Sequence, residues 1–473
     1  MSERSAILAG LGPSLSPDAS IALPGDSEFD ALTSRWREYK APNISVVVRV
    51  ATEADVQKTV QYAVQNDLPF VARSGGHGAI SSLASATNAI QIDLRLLDHV
   101  DLAEDGATAT IGGGANVKRV VDRLEEFGKR TVTGTCESVG ISTLALGGGH
   151  GWLQGQHGLV ADQVISARVV LPSGELVVAS EEANPDLFWA LKGAGHNFGI
   201  VTEFVFRTFD AKSPKLSYEV FIFSGDKLEA LYHWANTRLN DQPPEMAHWN
   251  YIVKVAEIDA EHPILWYAVI YDGPTETARE YTKGLHDIGP LTVQSGEGTI
   301  HDLAVLTFQD LDGPGSAYGL TSLRYPIGLD SYNISAVREV YNEIDETFRK
   351  VPELAGSLFL LEGYSSQGVR AIRPETTAFP HRNDNILVTP YVQYKPNAEI
   401  DPIAHQFGKK LQQLLLKGSD EPTRLRAYVN YANGHESLQE VYGWEDWRLE
   451  KLTKLKSVWD PHNRMGYYAP IVR

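Results

Sequence analysis

Three short segments carry residues able to do chemistry. In Arg73-Ser74-Gly75-Gly76-His77-Gly78 a histidine sits among glycines, directly after an apolar stretch. Bare backbone there lets N–H groups approach a ligand's phosphates closely, with the histidine at that ligand's rim. Read alone, the segment also fits a simple turn bearing a solvated histidine. The second segment is Thr135-Cys136-Glu137-Ser138-Val139-Gly140, followed by Leu146-Gly147-Gly148-Gly149-His150-Gly151. A lone cysteine is often no more than a small buried hydrophobe. Three successive glycines weaken any regular element, so some contact must need the bare backbone. The third segment is Tyr428-Val429-Asn430-Tyr431. As a strand it would put Tyr428 and Asn430 on one face and Tyr431 on the other. A tyrosine acts as a free base only if its pKa, about 10 when unperturbed, is lowered; the same residues would also serve as an aromatic core strand.

Other chemistries find no support. The chain contains no H-E-x-x-H, C-x-x-C, P-loop or G-x-S-x-G pattern, which speaks against zinc, nucleoside-triphosphate and serine-hydrolase sites. The dinucleotide fingerprint G-x-G-x-x-G fails as well. The segment from Gly193 to Gly199 misses it by one residue, and it equally reads as a tight turn before Ile200 and Val201.

Alternating strand and helix signals must position these segments. Strands are expected at 45–50, 69–72, 90–94 and 107–111, and a hairpin at 166–171 and 175–178. A further strand is expected at 200–206. Thr52 and Asp55 are spaced as a capping box opening a helix. Residues 116–127 form an amphipathic helix stopped by Gly128. Many short strands with two helices predict α+β layers, not a simple doubly wound sheet. After Pro214 the chain becomes rich in Tyr and Trp, and a helix is expected from Trp444 to Lys456. We therefore divide the chain into residues 1–210, a second domain at 211–424, and a return segment at 425–473.

With 473 residues the chain has ample length for large cores. Forty-two basic against sixty acidic residues give a net charge of −18, and no Lys/Arg-rich run offers a face for nucleic acid or anionic membrane. No apolar stretch approaches the ~18 residues of a membrane span. One cysteine excludes an intrachain disulfide, and the first residues make a poor secretory signal. The cytoplasm is the expected location.

In this order the motifs resemble the berberine-bridge-enzyme-like branch of FAD-linked oxidases, with the vanillyl-alcohol-oxidase or PCMH type of flavin fold. The resemblance spans nearly the whole chain and is strongest at 45–209 and 428–469. It rests on Arg-Ser-Gly-Gly-His, Gly-Thr-Cys-x-x-Val-Gly and Leu-Gly-Gly-Gly. The Asn-Pro-Asp-Leu-Phe-Trp-Ala-Leu-Lys-Gly-Ala-Gly run, Asn-Phe-Gly-Ile-Val-Thr, Tyr-x-Asn-Tyr and the closing Trp-Asp-Pro-x-Asn complete the set. It implies a two-part FAD-binding domain, 1–210 with 425–473, around a substrate domain built on an antiparallel sheet flanked by helices.

The resemblance also assigns roles. His77 falls where the family bonds the flavin 8α-methyl carbon, and Cys136 where some members add a bond to C6. Arg73, Ser74, Gly75, Gly76, Gly78, Val139, Gly140, Gly147, Gly148, Gly149, Gly151, Gly199, Ile200, Val201 and Asn430 fall in the flavin-binding segments. Tyr431 matches a base or proton relay. The substrate-domain strand near Ile386 to Tyr394 lacks the acid found in some relatives and offers only Tyr391, Gln393 and Tyr394; Tyr391 and Gln393 join Tyr431 as candidate catalytic residues. The small Val139 matches the oxygen-permissive form, which implies an oxidase releasing hydrogen peroxide. The substrate is expected to be a small molecule of secondary metabolism, aromatic or polyketide-like, undergoing oxidation, dehydrogenation or oxidative cyclisation. The aromatic residues Trp249, Tyr251, Trp266, Tyr267, Tyr271, Tyr364 and Tyr391 are candidates to line its pocket, with only one or two of them expected to do so and the rest to be core. The alternatives are an oligosaccharide oxidase and a flavin-containing non-redox cyclase.

Overall fold

The computed structural model describes residues 3–239 and 241–472, with side chains from Ile7 onward. The first strands form a four-stranded sheet in the order Ser20–Ala22, Ile44–Arg49, Ala89–Asp93, Phe70–Arg73. The last three run parallel, and Ser20–Ala22 pairs antiparallel. Parallel pairing needs crossovers, and the helix Glu53–Gln65 supplies one of them. Its start is the expected capping box: Thr52 Oγ1 accepts from the Asp55 N–H, and Asp55 Oδ2 accepts from the Thr52 N–H at 2.8 Å. The strand Phe70–Arg73 ends where the glycine–histidine loop begins, so sheet register fixes the position of His77.

A five-stranded antiparallel sheet follows, ordered Val100–Leu102, Thr108–Gly112, Ile200–Arg207, Val164–Val170, Leu176–Ser180. The helix Val117–Glu125 packs Val117, Val120, Val121 and Leu124 inward, and Asn116 caps it by accepting the Arg119 N–H at 2.8 Å. Gly128 takes a φ of +63° just beyond it, the left-handed conformation a glycine stop supplies.

The remaining large sheet has eight strands and is antiparallel throughout. Its order is Thr292–Gly298, Leu216–Phe223, Ile264–Tyr271, Met246–Val253, Leu358–Tyr364, Ile386–Tyr394, Thr321–Arg324, with Ile327–Leu329 also paired to Ile386–Tyr394. Alternation along each strand sends side chains to opposite faces. Phe359, Leu361, Val388, Val392 and Tyr394 face a core shared with the helices Leu228–Arg238, Ile334–Lys350 and Asp401–Lys417. Trp249, Tyr251, Leu360 and Tyr364 face the other core, shared with the five-stranded sheet. Glu362, Tyr391 and Gln393 share the parity of that second face. Tyr394, grouped with Tyr391 and Gln393 by sequence, instead points to the helix side and donates to Asp401 Oδ1 at 2.7 Å.

The C-terminal segment corrects one expectation. Tyr428 to Tyr431 is a turn, not a strand: the Tyr431 N–H donates to the Tyr428 carbonyl at 2.9 Å. Asn430 Nδ2 donates to the Tyr428 hydroxyl at 2.7 Å, a local side-chain bond of the kind that competes with sheet pairing. The last long helix spans Asp446–Trp459, slightly beyond its expected position.

Candidate active site

The loop after Phe70–Arg73 lies against the Cys136 loop through glycine backbone. A Cβ on Gly75 would stand 2.6 Å from the Gly140 nitrogen, and one on Gly140 would stand 2.1 Å from Ser74 Oγ. No side chain fits either position, so the two loops require glycine where they touch. Arg73, Ser74, Gly76, His77, Gly78 and Gly199 line one groove, together with Arg35, His196 and Tyr468. Arg35 Nε, Arg73 Nε and Ser74 Oγ are buried there without a hydrogen-bond partner in the protein. Buried donors are normally satisfied. Two guanidinium Nε–H groups and a hydroxyl left open in one groove are donors a phosphate-bearing cofactor such as FAD would satisfy, while other nitrogens of Arg35 and Arg73 bond Gln91 and the Leu32 carbonyl.

Ser138 joins the two residues expected to bond the flavin. His77 Nε2 and Ser138 Oγ share a hydrogen bond of 2.8 Å, and Cys136 Sγ lies 3.4 Å from the same oxygen. Ser316 fixes Ser138 from the far side at 2.7 Å. Burial, with the charges of Arg324 and Arg73 behind it, holds His77 down to a pKa of about 3. Its imidazole is therefore neutral and keeps a lone pair for bond formation. Trp36 stacks between His77 and Tyr391, with ring centroids 5.4 Å and 5.5 Å away.

A cavity of about 390 Å³ opens beside this cluster. Trp249, Tyr251, Trp266, Phe308 and Leu360 form apolar wall, and Tyr391, Gln393, Tyr431 and Arg324 supply polar groups. Tyr431 donates to Glu362 Oε1 at 2.9 Å, and Tyr364 donates to Oε2 of the same carboxylate at 2.7 Å. Burial pushes Glu362 up to about 7, against the opposing effects of those two hydrogen bonds and the Arg324 charge. Burial, then the Glu362 charge, holds the Tyr431 hydroxyl well above its ordinary value. Tyr431 thus keeps its proton at neutral pH and faces an acceptor that is only part-ionised there. Gln393 Nε2 donates to the Tyr391 hydroxyl, and burial raises that hydroxyl as well.

Three aromatic candidates do not line the cavity: Tyr267 and Tyr271 alternate with Trp266 along their strand and pack on the helix-side core, and Tyr364 is buried behind Glu362. Other expected site residues lie elsewhere. Gly147 abuts Asn430, where a Cβ would come within 2.1 Å of Oδ1. Gly148 and Gly149 take φ of +107° and +83°, and the Gly149 N–H donates to the Tyr428 hydroxyl at 3.1 Å. A Cβ on Gly151 would meet the Thr133 carbonyl at 1.7 Å. These glycines bring the Tyr428–Tyr431 turn against the glycine loop that follows the Cys136 segment. Asn430 also accepts from His196 Nε2 at 3.1 Å. Val139 is half-buried, and Ile200 and Val201 point into hydrophobic cores.

Sequence reading missed Glu362, Arg324, Trp36 and Ser138. Glu362 had a signal: it is the one acid in the apolar strand Leu358–Tyr364. The neighbouring strand Ile386–Tyr394, where some relatives carry an acid, indeed lacks one.

Residues 44–180 match the FAD binding domain family. FAD-linked oxidoreductase chyH of Penicillium rubens is 40% identical over 466 residues, covering 98% of this chain and 93% of its own. Among solved structures, BBE-like 1 of Physcomitrella patens superposes with a TM-score of 0.84 at 22% identity, covering 98% of each chain. Glucooligosaccharide oxidase of Acremonium strictum superposes at 0.81 with 20% identity, covering 98% of this chain and 99% of that one. The mixed architecture is that of the PCMH-type flavin oxidases, and no described helix is long and apolar enough to cross a membrane. The chain belongs to the FAD-linked oxidoreductases, and its fold is that of the BBE-like enzymes.

Proposed function

We propose that this chain is an oxidase whose FAD is bonded through His77 and Cys136, and that it acts on a small aromatic or conjugated molecule in the cavity beside them. The observation that carries the reading is the meeting of His77 and Cys136 at one hydroxyl, that of Ser138, next to an apolar cavity that presents Tyr431. The glucooligosaccharide oxidase of similar fold is described with a 6-S-cysteinyl, 8α-N1-histidyl FAD. Its two attachment residue types are the ones that converge here. Residues 1–210 and 425–473 then hold the cofactor, and 211–424 hold the substrate.

A flavin held by these residues would supply the hydride acceptor and the redox chemistry that turns molecular oxygen into hydrogen peroxide. The protein's own residues orient the substrate and manage one proton. Tyr431 takes a substrate proton at its hydroxyl oxygen as its own proton passes to Glu362 Oε1. The carboxylate, not a standing phenolate, is therefore the resting base. Tyr364 holds the second oxygen of Glu362, which leaves Oε1 to Tyr431. Tyr391, braced by Gln393, lines the same cavity. The apolar wall favours an aromatic substrate of secondary metabolism over an oligosaccharide, whose hydroxyls would lose water without finding partners.

The test is stopped-flow flavin reduction under anaerobic conditions, using the first aromatic alcohol or phenol of a screening panel that yields peroxide in air. Tyr431→Phe should slow reduction at least ~100-fold, the lower end for losing a general base. Near-normal reduction would move the proton-handling role to another residue.

A further inference from the structure

Arg324 ends the strand Thr321–Arg324, where its backbone pairs with Tyr391, and its side chain reaches the cavity. The guanidinium carbon lies 4.3 Å from the Tyr431 ring centroid, 4.6 Å from that of Trp36 and 5.4 Å from that of Tyr391. Among the described residues it makes no hydrogen bond or ion pair. The acid that feels its charge, Glu362, has both oxygens taken by tyrosine hydroxyls. Three aromatic faces hold the cation in place, but they leave its N–H fork unused. A guanidinium carries five donors in a planar fork suited to a carboxylate or another oxyanion. Inside an otherwise apolar cavity such a contact is shielded from water and correspondingly strong.

We infer that Arg324 is the specificity-determining residue of the cavity, and that the substrate is a planar, conjugated molecule bearing an ionised oxygen, either carboxylate or acidic phenol, which Arg324 receives. This rests on the cavity being the substrate site. The rest of the lining sets the planar part of the ligand. Tyr251, Trp266 and Phe308 form a tilted aromatic wall, with centroids 5.4 Å to 6.5 Å apart. The oxyanion would then lie near Tyr431, and the ring system would extend away along that wall.

Isothermal titration calorimetry of the FAD-loaded protein tests this without requiring turnover. The probes are 2-naphthoate, the acidic naphthol 4-nitro-1-naphthol, which is an anion at neutral pH, and the neutral 2-naphthamide. Naphthoate should bind wild type about tenfold to a hundredfold tighter than the amide, the range of a charge-assisted hydrogen bond. Arg324→Gln should erase that preference, and Arg324→Lys should retain part of it. If the Arg324-dependent gain appears with naphthol instead, the ionised oxygen is phenolic. Equal affinity for all three probes in wild type would overturn the inference. So would a preference that survives in Arg324→Gln with a normal flavin spectrum. A variant that shifts the flavin midpoint potential but leaves ligand preference intact would show that the charge serves the cofactor, and would also overturn it. Failure of the oxidase reading would look different: naphthoate would still bind selectively, and no panel compound would reduce the flavin.

Discussion

At Glu362 two phenol hydroxyls point at one buried carboxylate. A folded pKa of about 7 lies above the ordinary glutamate value of about 4.3, so the folded protein holds this proton more tightly than the unfolded chain. The resulting stabilisation is complete below the unfolded pKa and is lost as pH rises through the folded one. On the proposed proton path, catalysis would run the other way, because only the ionised form can accept the Tyr431 proton. Wild-type flavin reduction should therefore rise as pH climbs through about 7. Glu362→Gln should give a flat profile, roughly 100-fold slower at about pH 8. Its unfolding free energy should gain on wild type between about pH 5 and about pH 8, by on the order of 3 kcal/mol. A pH–rate profile and denaturant titrations at the two pH values check both signs. A variant that is slow but keeps the wild-type pH slope would remove Glu362 from the proton path.

Legibility differed between residues for physical reasons. His77 and Cys136 stood out because glycine runs and a solitary thiol are uncommon and local in sequence. Glu362 and Arg324 lie on strands whose partners are far away in the chain, and nothing nearby marks the face they share. Trp36 was hidden in a segment without a motif, yet it bridges His77 and Tyr391.

At the scale of elements, local signals with their own hydrogen bonds read well. The Thr52–Asp55 cap, the helix after Asn116 and the hairpin Val164–Val170 with Leu176–Ser180 all lie near their expected positions. The Tyr428–Tyr431 segment did not, because period-two alternation over four residues cannot distinguish a strand from a turn closed by Asn430. A buried ion pair locks the neighbouring segments. Arg382 meets Asp162 with two bonds, of 3.0 Å and 2.8 Å, and Asp162 also accepts the Leu159 N–H at 2.9 Å. The pair ties the short helix Val160–Gln163, which leans on Gly148 and Gly149, to the loop before the strand Ile386–Tyr394. Arg382→Ala would leave a buried carboxylate unpaired and should cost about 3–5 kcal/mol of stability. Urea unfolding measures that loss. A cost below about 1 kcal/mol, typical of exposed pairs, would show that the pair does not organise these segments.

Across the whole molecule, the site lies where three sheet systems meet. The four-stranded sheet presents the His77 loop, the five-stranded sheet and its helices carry the Cys136 and glycine loops, and the eight-stranded sheet presents Glu362, Tyr391 and Arg324. The C-terminal segment returns to place Asn430 and Tyr431 between them. Sequence pattern predicted the α+β character, and the family resemblance the antiparallel second sheet, but neither told which of its strands borders the cavity. Register decides that, and register is a long-range property.

The central claim is that His77 and Cys136 both bond the flavin, and intact mass after acid denaturation tests it most directly. Protein purified from flavin-replete cells should stay yellow in the acid precipitate and weigh one FAD more than its 52.0 kDa chain. His77→Ala combined with Cys136→Ala should release all its flavin to the supernatant, and each single variant should keep a bonded flavin with an altered spectrum. A colourless wild-type precipitate of unmodified mass would contradict the account.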